Sequence, residues 1–211
     1  MYALVVKNDS ISKRVEAKIR EKLHIEETDN PKIIFSIGGD GTILRALHQY
    51  QHILDEIIIF GIHTGHLGFF MDFNEDSIDE MIDSVLNNTF KTHDFNIAEA
   101  ILETRNKEFN FFALNEFQII KVDRVIVLDV LIDDKYFETF RGTGLCFSTP
   151  GGSTGMNRSL GGAVVDPRIQ SIQLTELASI NSNVKWMMLK VLLKVTWLKV
   201  KFTKRSYMLI H

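Results

Sequence analysis

Most of the residue types in this chain that could carry chemistry lie in a few glycine-rich stretches. The first is Gly38-Gly39-Asp40-Gly41-Thr42, which follows an apolar run and precedes a helical pattern. Free backbone N–H groups at such a strand-to-helix turn, with the helix dipole behind them, favour an anion such as a phosphate. The stretch is not a P-loop, because no Gly-x-x-x-x-Gly-Lys-Ser/Thr occurs, and it lacks the third glycine of the dinucleotide fingerprint. Its plainest reading is a tight turn with Asp40 capping the helix.

Three other patterns suggest chemistry. His63 and His66, in His63-Thr64-Gly65-His66-Leu67-Gly68-Phe69, are three apart in a loop without a third ligand, which favours loop shaping over a metal site. His48 and His52 lie four apart on an expected helix without the glutamate of a zinc motif, and read as a solvated face. Gly151-Gly152-Ser153-Thr154-Gly155 satisfies the Gly-x-Ser-x-Gly elbow of hydrolases. Downstream of Ser153, however, the only His is His211 and the only Asp is Asp166, so a triad in the usual order would rest on the last residue.

The elements that must position these residues alternate at first. Strands over residues 3–6, 33–37 and 57–62 alternate with helices; Ile11, Val15, Ile19 and Leu23 form one apolar stripe, and Ile78, Ile82, Val85 and Leu86 another behind a Ser77–Glu80 capping pair. That order predicts a parallel sheet. Past residue 93 the pattern becomes short β runs at 97–102, 109–114, 117–122, 125–132 and 136–140, with turns at Asn106-Lys107 and Asp133-Asp134. All 13 glycines fall between Gly38 and Gly162, clustered at 38–41, 61–68, 142–155 and 161–162, which marks those clusters as ligand loops.

At 211 residues with 45% apolar and 24% charged side chains, the chain is neither disordered nor fibrous. One cysteine, Cys146, rules out an internal disulfide framework. The start reaches a charge at Lys7 and no run of about 18 apolar residues follows, so the chain reads as cytoplasmic, neither exported nor membrane-spanning. The net charge of −3 is uneven: Lys185, Lys190, Lys194, Lys199, Lys201, Lys204 and Arg205 make residues 177–211 +7 against −10 for the rest.

Taken in order, the Gly38–Thr42 and His63–Phe69 stretches, Asn115-Glu116, Arg141-Gly142-Thr143-Gly144, Ser148-Thr149-Pro150-Gly151-Gly152-Ser153-Thr154 and Asn157 resemble the NAD kinase family in its short Gram-positive bacterial form, over residues 1–184. The resemblance implies an α/β N-terminal domain (1–93; parallel sheet with flanking helices) and a β-rich, β-sandwich-like C-terminal domain (94–184). It implies transfer of the ATP γ-phosphoryl group to the 2′-hydroxyl of the adenosine ribose of NAD, giving NADP. Asp40 matches the residue that would hold or deprotonate that hydroxyl, a poor nucleophile near neutral pH. Gly38, Gly39, Gly41 and Thr42 would face ATP phosphates, and Asn115 and Glu116 adenine or ribose edges. His66, Phe69, Arg141, Thr143, Thr154, Gly155, Met156, Asn157, Arg158, Ser159 and Ala178 would complete the substrate contacts. Mg²⁺ would arrive with ATP rather than in a protein metal site. A homo-oligomer, tetramer or dimer, is also implied, with no nucleic-acid or membrane partner.

The chain departs from that pattern at Thr143 in place of Asp, at Gly155-Met156 in place of Ala-Tyr, and at Gly151 in place of a hydroxyl residue. It departs again at residues 185–211, an atypical basic tail with both tryptophans. That tail reads as a degenerate end, as from a shifted reading frame, with a replacement core segment or a membrane or nucleic-acid contact as the other readings, and without the segment that returns to the first domain. The alternative to an active kinase is therefore a catalytically impaired NAD(P)-binding remnant of the fold.

Overall fold

The computed structural model describes residues 1–23 and 28–180, and the backbone of 186–189, 193–195 and 198–209. The chain divides into two compact units, Met1–Asp94 with Ser206–His211, and Phe95–Arg205. They are described in turn.

In the first unit β1 (Tyr2–Val6), α1 (Ser10–Leu23), β2 (Ile33–Gly38), α2 (Asp40–Gln49), β3 (Ile58–His63) and α3 (Ile78–Asn87) alternate as expected. β1, β2 and β3 pair in parallel, with Leu4 opposite Phe35 and Phe35 opposite Phe60. Helices on such a sheet bury its strands, which therefore read as continuous apolar runs. Phe35, Ile37, Phe60 and Ile62 pack with Val15, Ile19 and Leu23 of α1 and Ile78, Met81, Ile82 and Val85 of α3.

Three local expectations are corrected. Ile11 is 41% exposed and Ser12 takes the buried place at 0%. Leu86 is 60% exposed and Met81 is buried instead. The capping box is built by Asn74 and Ser77, not Ser77 and Glu80: Asn74 Oδ1 accepts from the Ser77 N–H, and Ser77 Oγ from the Asn74 N–H. It caps a single 3-10 turn, Glu75–Ser77, that leads into α3.

The second unit holds β4 (His93–Glu103), β5 (Glu108–Ala113), β6 (Glu116–Ile120), β7 (Ile126–Ile132), β8 (Lys135–Gly142), β9 (Gly144–Ser148), the short α4 (Met156–Ser159), β10 (Ile172–Leu177), β11 (Trp186–Leu189), β12 (Leu193–Val195) and β13 (Leu198–Leu209). One sheet runs β11-β10-β9-β6, all antiparallel. β4 pairs with β5, β7 with β8 and β12, and β12 with β13, also antiparallel. Ala98, Ala100, Val130 and Phe140 close over Leu145, Phe147, Ile172 and Leu174, which makes a β-sandwich core. Asp133 and Asp134, at φ 51° and 62°, form the two-residue hairpin turn.

β9 lies inside what the glycine spacing suggested was a ligand loop, yet all five of its residues are buried. Gly144 is there for a neighbouring strand: a Cβ would stand 2.2 Å from the Ile119 carbonyl oxygen. The tail also differs from expectation. Met208 and Leu209 of β13 pair in parallel with Ile58 and Ile59 of β3, so a segment returning to the first unit is present.

Candidate active site

In the first unit, β2 ends at Gly38, which a side chain could not replace: its Cβ would meet Thr42 Oγ1 at 2.3 Å and Lys7 Cβ at 2.9 Å. Thr42 is folded back into the turn, donating its N–H to the Gly39 carbonyl at 2.7 Å and accepting from the Gly39 N–H at 3.4 Å. Gly39 and Gly41 are different. A Cβ on either would have no neighbour within 4 Å, so packing does not demand glycine there. Gly39 is also the N-cap of α2, a position that itself favours glycine, and at Gly41 the open space admits close approach of a ligand to the backbone.

Asp40 is the first residue of α2, where a carboxylate complements the helix dipole, but it does not cap its own helix. Oδ2 accepts from the Phe69 N–H at 2.9 Å and Oδ1 from the Phe70 N–H at 3.0 Å. Gly68 permits this, since its Cβ would stand 2.3 Å from Oδ1. Phe69 therefore meets Asp40 through its backbone, while the residue as a whole is 45% exposed. His66 is exposed on the same loop. At the start of the loop, His63 Nδ1 lies 3.2 Å from the Gly65 carbonyl.

In the second unit Asn115 and Glu116 open β6. The Asn115 carbonyl accepts from the Thr149 N–H at 2.8 Å and lies so close to Gly152 that a Cβ there would stand 2.0 Å away. The buried Thr149 hydroxyl donates to the Leu114 carbonyl and accepts from the Gly152 N–H at 3.0 Å. Two buried side-chain oxygens here, Asn115 Oδ1 and Glu116 Oε2, have no partner among the described residues. Burial raises the Glu116 pKa above the usual carboxylate range, against the smaller opposing effect of the Gln118 amide bonded to Oε1. Gly155 lies beside the same carboxylate: its Cβ would be 3.2 Å from Oε2.

Asn157, on α4, is fully buried and spent within the unit. Its amide donates to the Ser153 and Ala163 carbonyls, and its oxygen accepts from the Thr175 hydroxyl at 2.7 Å. It shapes the loop that presents Thr154, Gly155, Met156, Arg158 and Ser159, all exposed. Arg141, Thr143 and Ala178 come together where β8 and β10 end. The Thr143 N–H donates to the Leu177 carbonyl at 3.0 Å and the Ile180 N–H to the Arg141 carbonyl at 2.8 Å. Ala178 sits at φ 45°, a left-handed conformation uncommon for a residue with a Cβ and often found at functional positions.

The competing chemistries lose ground. Ser153 is 2% exposed, with Oγ held between the Val165 carbonyl and N–H. Asp166 is engaged with Arg168, which pulls its pKa down to about 2, and His211 lies outside the described residues. His52 stands in a 3-10 turn beyond the end of α2. No group of three His, Cys, Asp or Glu suited to a metal occurs among the described residues. Burial, with the Glu116 charge nearby, pushes the Cys146 thiol up to about 12, so it is no nucleophile. Sequence reasoning missed Ser12, whose Oγ lies 2.7 Å from Thr64 Oγ1, and Gln173, whose amide accepts from the Ala163 N–H at 2.7 Å and donates to the Ala163 carbonyl at 3.1 Å. Ser12 had a signal, a hydroxyl beside the apolar stripe of α1.

A glycine turn at the carboxyl ends of parallel strands, joined in one chain to a β-sandwich with polar loops, defines a nucleotide-handling α/β-plus-β protein. Residues 4–90 match the family model for the ATP-NAD kinase N-terminal domain, and residues 114–210 that for its C-terminal domain. NAD kinases of Staphylococcus aureus strains JH9 and Newman are each 40% identical over 191 residues, covering 87% of this chain and 71% of theirs. The chain belongs to the NAD kinase family. Its fold is similar to that of yeast NADH kinase, solved with NADH (TM-score 0.85, 16% identity, 99% of this chain and 82% of that one). It is also similar to an NAD kinase from Archaeoglobus fulgidus, solved with ATP (TM-score 0.78, 23% identity, 100% and 93%). The C-terminal family match runs to residue 210, beyond residue 184, where the sequence resemblance stopped.

Proposed function

We propose that the chain is an ATP-dependent NAD kinase that moves the γ-phosphoryl group of ATP to the 2′-hydroxyl of the adenosine ribose of NAD. The observation that carries this, beyond family membership, is the Asp40 cradle. Two backbone amides fix the carboxylate at the mouth of a glycine turn whose Gly39 and Gly41 stand open. A carboxylate has about four lone-pair sites, so two remain for a substrate hydroxyl. Held in place, Asp40 accepts the hydroxyl proton as the ribose oxygen bonds to the γ-phosphorus and the bond to the β-phosphate bridging oxygen breaks, leaving ADP.

Gly38, Gly39 and Gly41 take the phosphates of ATP in this reading. Asn115 and Glu116 take NAD through the two oxygens that have no partner among the described residues, helped by the exposed residues of the α4 loop and by Arg141, Thr143 and Ala178. The described residues offer no three-ligand cage, and Mg²⁺ enters bound to ATP. No helix among the described residues is long and apolar enough to cross a membrane, and we place the enzyme in the cytoplasm. Exposed Phe109, Phe111, Val127, Tyr136 and Phe137 on the second unit support a homo-oligomer. The impaired-remnant alternative is not favoured, since the Asp40 cradle and the Asn115-Glu116 pair are intact.

The test is NADP formation from NAD and ATP–Mg²⁺ by the purified chain with Asp40→Asn beside it. Turnover by the wild type and a loss of roughly 10²- to 10⁴-fold in a folded variant are the expected results. No NADP from wild-type protein whose circular dichroism shows it folded refutes the reading.

A further inference from the structure

We propose that Lys7 supplies a cation to the phosphate turn: its ammonium group, paired with Asp9, exchanges that carboxylate for the triphosphate of ATP on binding. The inference rests on the NAD kinase reading and adds one residue to an ATP site built from Gly38, Gly39 and Gly41. A P-loop answers the charge of a triphosphate with a lysine of its own. The stretch Gly38–Thr42 has none, so the charge must be met from a neighbouring element. α1 packs with α3 against Phe35, Ile37, Phe60 and Ile62, whereas Gly61 points to the other face, where a Cβ would stand 3.2 Å from Ile43 of α2. The chain thus leaves β1 and β2 towards opposite faces of the sheet. Open parallel sheets bind ligands in the crevice that such a divergence makes outside the carboxyl ends of the strands. Lys7 follows β1 at that point.

The backbone of Lys7 is fixed. Its N–H donates to the Ile37 carbonyl at 2.8 Å, and the Val6 carbonyl before it accepts from Arg45 Nη2 at 2.6 Å. Its Cβ lies only 2.9 Å from where a Gly38 Cβ would stand, so the side chain starts against the glycine turn itself. From there the stem is flexible, and the side chain is 62% exposed. Its pairing with Asp9, at 3.1 Å, is a surface ion pair of the kind that contributes little. Asp9 does not depend on it. Oδ1 accepts from the Ser12 N–H at 2.8 Å, which caps α1. That bond comes first and the Lys7 ammonium second in holding the Asp9 pKa at about 2, and the Ser12 hydroxyl adds to them. Lys7 can therefore leave without stranding a carboxylate. A triphosphate offers the ammonium group charge-assisted bonds to an anion of higher charge than a single carboxylate.

The experiment measures NADP formation and, by calorimetry, separate dissociation constants for ATP–Mg²⁺ and NAD, on wild type, Lys7→Met, Lys7→Arg, Asp9→Asn and the Lys7→Met, Asp9→Asn double variant. Lys7→Met keeps an apolar stem against Gly38 and removes the charge, and should raise the KM and Kd of ATP roughly 10- to 100-fold while leaving the Kd of NAD as it is. Lys7→Arg, which keeps the charge, should recover most of the loss. Asp9→Asn keeps the helix cap and removes the competing carboxylate, so ATP should bind about two- to fivefold more tightly. That gain should vanish in the Lys7→Met background, whereas simple relief of repulsion between Asp9 and ATP would persist there. An ATP Kd within about twofold of wild type in Lys7→Met overturns the proposal. A loss that falls on NAD instead, or an Asp9→Asn gain that survives without Lys7, overturns it too. If Lys7→Met does not fold, unchanged ATP affinity in Asp9→Asn decides against it. A wild type that binds ATP but forms no NADP defeats the kinase reading alone, because the ATP constants still decide this one; a wild type that binds no ATP defeats both.

Discussion

Asp40 and Glu116 are both assigned to the substrates of one reaction, yet the fold treats their carboxylates in opposite ways. In the first unit Asp40 accepts two loop amides, and Gly68 is kept bare so that it can. In the second unit Glu116 holds one buried oxygen without a partner among the described residues, next to Asn115 with another. A buried acceptor with no donor costs free energy that the rest of the fold must offset. On the proposed reading the first unit has assembled its reactive group in advance, whereas the second keeps unmet hydrogen-bonding capacity that a hydroxyl-rich ligand can fill. Chemistry demands a fixed group and recognition a receptive one, and the two units divide those demands.

The comparison breaks most completely if Asp40 loses its cradle. Gly68→Ala places a Cβ 2.3 Å from Oδ1 and 2.7 Å from Cγ, so the carboxylate must move off the two amides. NADP formation should fall about 100-fold or more, in line with the cost of misplacing a catalytic group, while circular dichroism stays that of the wild type. A smaller and purely structural effect is expected in the other unit. Asn157→Ala removes three hydrogen bonds and strands the buried Thr175 hydroxyl, which should lower stability by about 2 to 4 kcal/mol in urea unfolding. If stability holds and only NAD affinity drops, Asn157 belongs with the receptive groups and the division drawn above is misplaced.

The sequence carried the alternation of the first unit and the hairpins of the second, because apolar period and turn residues are local properties, and its family resemblance marked the segments of the candidate site. It did not carry the partners of Asp40. Those are backbone amides at Phe69 and Phe70, and every residue but proline has one, so nothing in residue type marks them. β9 was hidden for a related reason. Gly144 looked like part of a ligand loop, whereas the approach of Ile119 from β6 requires it. Glycine composition reports that something comes close; only the fold says whether that is a strand, a carboxylate or open space. Ile11 was misplaced because helical period assigns faces only to within a residue, and it is the more apolar of two neighbours, whereas Ser12 is the buried one.

Gly39 and Gly41, where the fold leaves open space, sharpen the same distinction. Gly41→Ala lies in the first turn of α2 and meets nothing within 4 Å, so removing glycine from the helix should stabilise the protein by up to about 1 kcal/mol. ATP affinity should nevertheless weaken, by about tenfold if the methyl group displaces one phosphate hydrogen bond. Gains in both stability and ATP affinity would show that no ligand approaches this turn, and the first unit would lose its phosphate site.

The smallest effect bears directly on the unmet oxygen of Glu116. Its pKa is raised in the folded state from an ordinary value of 4.5, chiefly by burial, so the native protein binds that proton more tightly than the unfolded chain does. The sign follows by linkage: this contribution to stability is fully present below pH 4.5 and is lost as pH rises through the folded pKa. Glu116→Gln stays neutral throughout, so its melting temperature relative to wild type should climb between pH 4 and neutrality and then level off. NAD supplies the discriminating arm. A ribose hydroxyl donating to Oε2 stabilises the charged form and lowers the pKa again, so saturating NAD should flatten the wild-type pH dependence and leave that of Glu116→Gln unchanged. If NAD stabilises both proteins equally at every pH, Glu116 does not receive the ligand, and its buried oxygen is a cost of the fold rather than a preparation for binding.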